Sequence, residues 1–172
     1  VKNIAEHLAN TQNKATIITK GFNNLKKHEI INNVEIYRVK SFNIPQLRSL
    51  LALPSMFFKA LKLSKDYDVI HAHITYPSGI IAYLVKKFTG KKYILTLQGD
   101  ELMDYPEKKI LKLLKFPIKI ALKNASYVHC ISNALVNNII KEFDVERKKI
   151  VLIPNGVNIK DYEKAKEIDL KK

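Results

Sequence analysis

Residues 68–79 read DVIHAHITYPSG and run on into IIAYLVKKF. The first half, from Tyr67 to His73, is a short apolar run with β-branched residues, the pattern of a strand buried on both faces. The second half passes through Pro77, Ser78 and Gly79 into an apolar segment with helical spacing. Ser78 is placed to cap a helix over 78–88. A strand that turns directly into a helix is half of a β–α–β unit, and it predicts a parallel sheet. His71 and His73, two residues apart, fall on one face of that strand.

The same alternation extends in both directions. A helix is expected over 2–10, where Ile4, Ala5 and Leu8 share a face. Strands are expected at 15–20 and at 34–39, the second nearer an edge. Residues 46–65 are helical in pattern but contain Pro54, which should break or kink the helix. Strands over 92–98, 126–132 and 149–154 alternate with helices over 107–123 and 133–143. Pro106 opens the first of these helices, Pro117 interrupts it, and Ser132 caps the second. The expected fold is α/β, a Rossmann-like, mostly parallel sheet with helices on both faces. Residues 1–153 read as one domain and residues 154–172 as a linker. The chain starts at Val1 inside a helical pattern, so a first strand and its turn are expected to precede it.

Hydrophobic residues make up 47% of the 172 positions, enough for one full core. No apolar run is long enough to span a bilayer, and no signal peptide is visible. The single cysteine, Cys130, reads as a buried thiol in a reducing compartment such as the cytoplasm. His129 is beside it but points to the other face of the strand. The net charge is +14, which favours anionic partners. Arginine is confined to Arg38, Arg48 and Arg147, and the lysines are spread along the chain without interleaved aromatics. That distribution disfavours nucleic acid. A solvated lysine surface fits best, with an anionic membrane surface second.

Ligands of parallel α/β sheets bind at the carboxyl ends of the strands. Four strand ends here are polar or glycine-bearing: HAHITYPSG, TLQGDEL, CISNA and IPNGV. At the first, His71 reads as the deeper, hydrogen-bonded core histidine and His73 as the one that reaches ligand. A His-x-His pair also suits zinc, with Asp100, Glu101 or His129 completing the set, but no second metal-spaced cluster supports it. At the second, Gly99 beside Gln98 permits close backbone approach, and Asp100 and Glu101 could orient hydroxyls or merely cap a turn. Ser132 and Asn133 mark the third. Asn155 and Gly156 suit a tight turn that serves as an interdomain hinge. The basic segments 46–65 and 107–123 either pack on the sheet or lie on a membrane. Exposure of Met56, Phe57 and Phe58 would favour the membrane.

Taken in order, DVIHAHITYPSGIIAYLVKK, YILTLQGDEL, SYVHCISNALVNNII and IVLIPNGVNIKDY resemble the N-terminal domain of a family 4 glycosyltransferase, one half of a GT-B fold. The resemblance runs from about Val1 to Tyr162. It implies an acceptor-binding domain facing a second domain that holds the nucleotide-sugar donor. It implies transfer of a hexose with retention of configuration, to a glycan or lipid-linked acceptor, without a metal or other cofactor. His73, Gly99, Asp100, Glu101, Ser132 and Asn133 would line the acceptor side. Gln98 stands where the family commonly has a histidine, and glutamine cannot take a proton near neutral pH. The expected setting is cytoplasmic, with a peripheral place on the inner face of the membrane. The other readings are a stand-alone module for anionic ligands and a histidine-based metal hydrolase. Nothing in the sequence fixes an oligomeric state.

Overall fold

The computed structural model describes residues 1–22, 25–40, 48–99 and 109–156. In chain order the elements are α1 (Lys2–Ala9), β1 (Thr16–Lys20), β2 (His28–Ile31), β3 (Val34–Val39), α2 (Arg48–Leu63), β4 (Val69–His73), α3 (Ile80–Thr89), β5 (Lys92–Leu97), α4 (Lys109–Asn124), β6 (Tyr127–Cys130), α5 (Asn133–Phe143) and β7 (Ile150–Leu152). The expected α/β fold is present, in two sheets. β4, β5, β6 and β7 pair in that order, all parallel. β1 and β3 pair in parallel, and β2 adds antiparallel to β3.

Strand β2 escaped the sequence pattern because His28 and Glu29 make it look polar. Its hairpin to β3 turns on Asn32 and Asn33, both with positive φ (48° and 64°). Two asparagines between β-branched runs are the residues a two-residue hairpin turn requires, so the signal was there.

Both internal prolines are tolerated. Pro54 lies inside α2 and Pro117 inside α4, and neither ends its helix. Opposite Pro117 the carbonyl that loses its partner belongs to Leu113, a strongly exposed residue, so that turn faces water. Ser78 does not cap α3. It sits in a π-helical turn over Thr75–Gly79, and α3 starts after Gly79 without a side-chain cap. Gly79 is there for room: a Cβ would lie 3.1 Å from Leu95 Cδ1. Ser132 does cap α5, its hydroxyl accepting from the Leu135 amide at 3.3 Å.

The core of the larger sheet lies on one face. Tyr93, Leu95, Leu97, Val128 and Cys130 meet Ile118 and Leu122 of α4 and Leu135, Ile139 and Phe143 of α5. Burial pushes the Cys130 thiol up to about 11, as a structural thiol requires. β4 departs from expectation. Ala72 is buried, but Val69 and His71 are exposed, so this strand is not covered on both faces. It is an edge strand, and among the described residues the face carrying His71, Ile94, Tyr127, His129 and Val151 is open.

A slot separates β1 from β4. Thr16, at the start of β1, hydrogen-bonds the hydroxyl of Tyr67, just before β4, so the two strands begin at the same end. Between them lies a cavity of about 800 Å³, lined among others by Ile18, Ile70, Val85 and the apolar face of α1.

Candidate functional site

Parallel pairing brings the ends of β4, β5 and β6 together. His73 pairs with Thr96, and Thr96 with His129. Gln98 and Gly99 therefore leave β5 next to the exit of β4, with Ser132 and Asn133 leaving β6 on the far side. Gly99 has φ of 121°, which favours glycine, and a Cβ there would meet nothing within 4 Å. Its role is conformational, at a spot open among the described residues. Ser132 spends its hydroxyl on the α5 cap, and Asn133 is the exposed first residue of that helix. Asn155 and Gly156 are exposed and belong to no regular element. Asp100, Glu101 and the linker beyond Gly156 lie outside the described residues.

The two histidines of β4 do share a face. Their rings stack with centroids 4.3 Å apart and planes 31° from parallel. His71 is not the core residue expected. It is exposed overall, but its Nε2 edge turns into the sheet, 2.7 Å from Thr96 Oγ1. The reason is the open face: among the described residues no core packs on that side of β4. His73 is the more enclosed of the two. Its Nδ1 is buried with no hydrogen-bond partner among the described residues, as is the hydroxyl of Thr75. Burial, followed by the neighbouring charge of His71, depresses the His73 pKa to about 4. At neutral pH His73 is a neutral ring, suited to hydrogen-bonding a hydroxyl.

Two features of this site had been missed. Thr96 is buried on the histidine face and accepts or donates to both His71 and His129, the latter at 3.1 Å. Ile74, directly after His73, has φ of 66°. A β-branched residue is strained there by about 1–3 kcal/mol. Its amide is fixed to Thr96 O at 2.9 Å. Nothing in a sequence marks such an isoleucine.

No group of three or more His, Cys, Asp or Glu residues among those described could hold a metal ion. Three lysines of α4 are engaged elsewhere: Lys115 pairs with Glu142, and Lys119 and Lys123 pair with Asp144. Lys123 holds the Asp144 carboxyl below its usual range.

Parallel strands with their polar ends gathered at one end of the sheet are the arrangement at which α/β domains bind ligands. The chain belongs to Glycosyltransferase Family 4, whose profile matches residues 1–161. It is 28% identical over 124 residues to the UDP-Gal:alpha-D-GlcNAc-diphosphoundecaprenol alpha-1,3-galactosyltransferase of Escherichia coli, covering 72% of this chain and 31% of that protein. It is 25% identical over 158 residues to the N-acetyl-alpha-D-glucosaminyl L-malate synthase of Bacillus anthracis, covering 90% of this chain and 38% of that protein. The chain thus spans about a third of the curated relatives it matches. Among solved structures, a sucrose-phosphate synthase from Thermosynechococcus elongatus superposes with a TM-score of 0.70 at 19% identity, covering 94% of this chain and 87% of that one. A glycosyltransferase from Rickettsia africae gives 0.64 at 21%, covering 99% and 42%. Both share the fold, half of a GT-B architecture.

Proposed function

We propose that this chain is the acceptor-binding half of a retaining glycosyltransferase, which moves a sugar from a nucleotide-sugar donor to a glycan or lipid-linked acceptor. The observation that carries the proposal is the meeting of His73, Gln98, Gly99 and Asn133 at one end of parallel strands, in a chain of this family. His73 and Gln98 have complementary tasks. The neutral His73 ring hydrogen-bonds an acceptor hydroxyl, and Gln98 both donates and accepts near the reacting sugar. Neither is asked to remove a proton at the start. Retention on the front face needs the leaving phosphate stabilised and the acceptor held close, and the departing oxygen takes the proton.

The slot belongs to the same proposal. A further parallel strand, supplied by chain ahead of Val1, fits between β1 and β4 and completes a β–α–β unit with α1. It would join the two sheets into one. Strand order would then reverse direction beside β4, which is where open α/β sheets bind ligands. The facing edges and the exposed Val1, Ile4 and Leu8 support this.

The test uses the full-length enzyme with candidate nucleotide sugars. His73→Ala and Gln98→Ala are each expected to lower kcat/KM about tenfold, the weight of one lost hydrogen bond. Unchanged transfer in both variants would remove the site assignment.

Exposed apolar side chains also point to a membrane surface. Met56 is buried, contrary to what a membrane face requires, but Phe58 is 65% exposed. Phe57 packs between Phe58 and Phe88, its ring tilted against both, with centroids at 5.3 and 5.7 Å. On α4, Leu113 and Phe116 are 81% and 73% exposed. The lipid-linked substrate named for the Escherichia coli relative supports the same direction. Co-sedimentation with phosphatidylglycerol-rich vesicles should show binding at low salt that weakens at moderate salt. Phe116→Ser should weaken it about tenfold. Absence of binding at low salt removes the membrane from the proposal.

A further inference from the structure

Thr96 joins three strands through side chains. Its hydroxyl lies 2.7 Å from His71 Nε2 on β4 and 3.1 Å from His129 Nδ1 on β6. His129 Nε2 in turn lies 2.8 Å from the carbonyl oxygen of Ile153, just past β7. All of this lies on the open face of the sheet, on the floor of a concavity of about 310 Å³.

Hydrogen counting fixes the direction of the chain. A carbonyl only accepts, so His129 Nε2 carries a hydrogen. In the neutral ring Nδ1 is then bare, and the Thr96 hydroxyl donates to it. That hydroxyl has one hydrogen, so toward His71 it accepts. His71 therefore carries its hydrogen on Nε2 and leaves Nδ1 bare. The hydrogen bonds run one way, from His71 through Thr96 and His129 to Ile153.

A proton on His129 reverses the run. Nδ1 then donates to Thr96 and releases the hydroxyl hydrogen, which His71 Nε2 accepts once His71 carries its own hydrogen on Nδ1. One proton taken up on β6 thus changes the tautomer on β4. His71 is stacked on His73, so the change occurs against the acceptor wall. The titratable groups facing the relay are His73 on β4 and Tyr127 on β6. Burial, followed by the charge of His129, lowers the His71 pKa, so His71 passes through the exchange as a neutral ring.

We propose that Thr96 and His129 are positioning residues, which set the His71 tautomer behind His73 and tie it to the Ile153 exit that leads to Asn155 and Gly156. A shift of that exit breaks the last hydrogen bond and frees His129 to reorient, so the acceptor wall senses the position of the connection. The relay stands on its hydrogen bonds alone; its meaning for acceptor binding rests on the function proposed above.

The experiment is nitrogen-15 NMR of histidine-labelled full-length protein across pH, which reads each imidazole tautomer directly. In the wild type at neutral pH, His71 and His129 should both carry hydrogen on Nε2. As His129 takes up a proton, His71 should change to the Nδ1 form at the same midpoint. In Thr96→Val the His71 tautomer ratio should change about tenfold, the weight of one hydrogen bond, and lose its link to His129. Thr96→Ser should restore both. A wild-type His129 with its hydrogen on Nδ1 overturns the relay, without need of any variant. So does a His71 ratio left unaltered by Thr96→Val. Neither readout needs sugar transfer, so a failure of the proposed function is recorded separately.

Discussion

Residues 1–172 alone, supplied with a nucleotide sugar and acceptor, are expected to transfer no sugar above the enzyme-free blank. The full-length protein under the same conditions should turn over, a contrast of at least about a thousandfold. The reason is electrostatic and geometric. Breaking a sugar–phosphate bond requires groups that take up the leaving charge in a site closed to water. The wall assembled from β4, β5 and β6 offers a neutral His73, the amide of Gln98 and a helix start at Asn133. Such groups orient hydroxyls. The family resemblance assigns the phosphate-handling groups to a second domain, and the chain spans only about a third of its curated relatives. Radiolabelled donor and thin-layer separation of products would decide it. Transfer by the short chain at a rate near that of the full protein, abolished by His73→Ala, would show that one half of the cleft suffices.

The parallel β–α–β order was legible because it rests on local signals. The run over residues 34–39 and the strand around His71 show β-branched residues at the right lengths, and Ser132 announces a helix start. What failed depends on distant contacts. Both-face burial of β4 is an expectation from its own composition, but coverage is a property of what packs on a strand, and among the described residues one face is bare. The expectation of a core His71 fails for the same reason. The helix-breaking force of Pro54 and Pro117 is local, and neither helix ends at its proline. In the site, the sequence pointed to His73 and Gln98 by position after a strand. It could not reveal Thr96, which reads as an ordinary strand threonine until register sets it between two imidazoles.

The second large effect is on stability in acid. His73 titrates at about 4 in the folded chain, against an ordinary 6.5. The folded state therefore favours the neutral ring. Above pH 6.5 both states hold it neutral, and nothing is lost. Between pH 6.5 and about 4 the unfolded chain takes up a proton that the folded chain refuses, so stability falls as pH falls. Below about 4 both states are protonated and this component levels off. The loss over the window is about 3 kcal/mol at most. His71, shifted in the same direction, adds to it. The carboxylates act lower: Asp144 and Glu146, held down by Lys123 and Lys148, lose their pairing only as pH falls below the ordinary carboxylate range. Urea midpoints at several pH values, for the wild type and for His73→Gln, separate the two. The variant should start less or equally stable at pH 7.5 and lose less on the way to pH 4. Parallel curves would mean that the His73 ring is hydrated in the folded protein. Its unpartnered Nδ1 would then face water rather than wait for a hydroxyl, and the acceptor wall would lose the group that gives it direction.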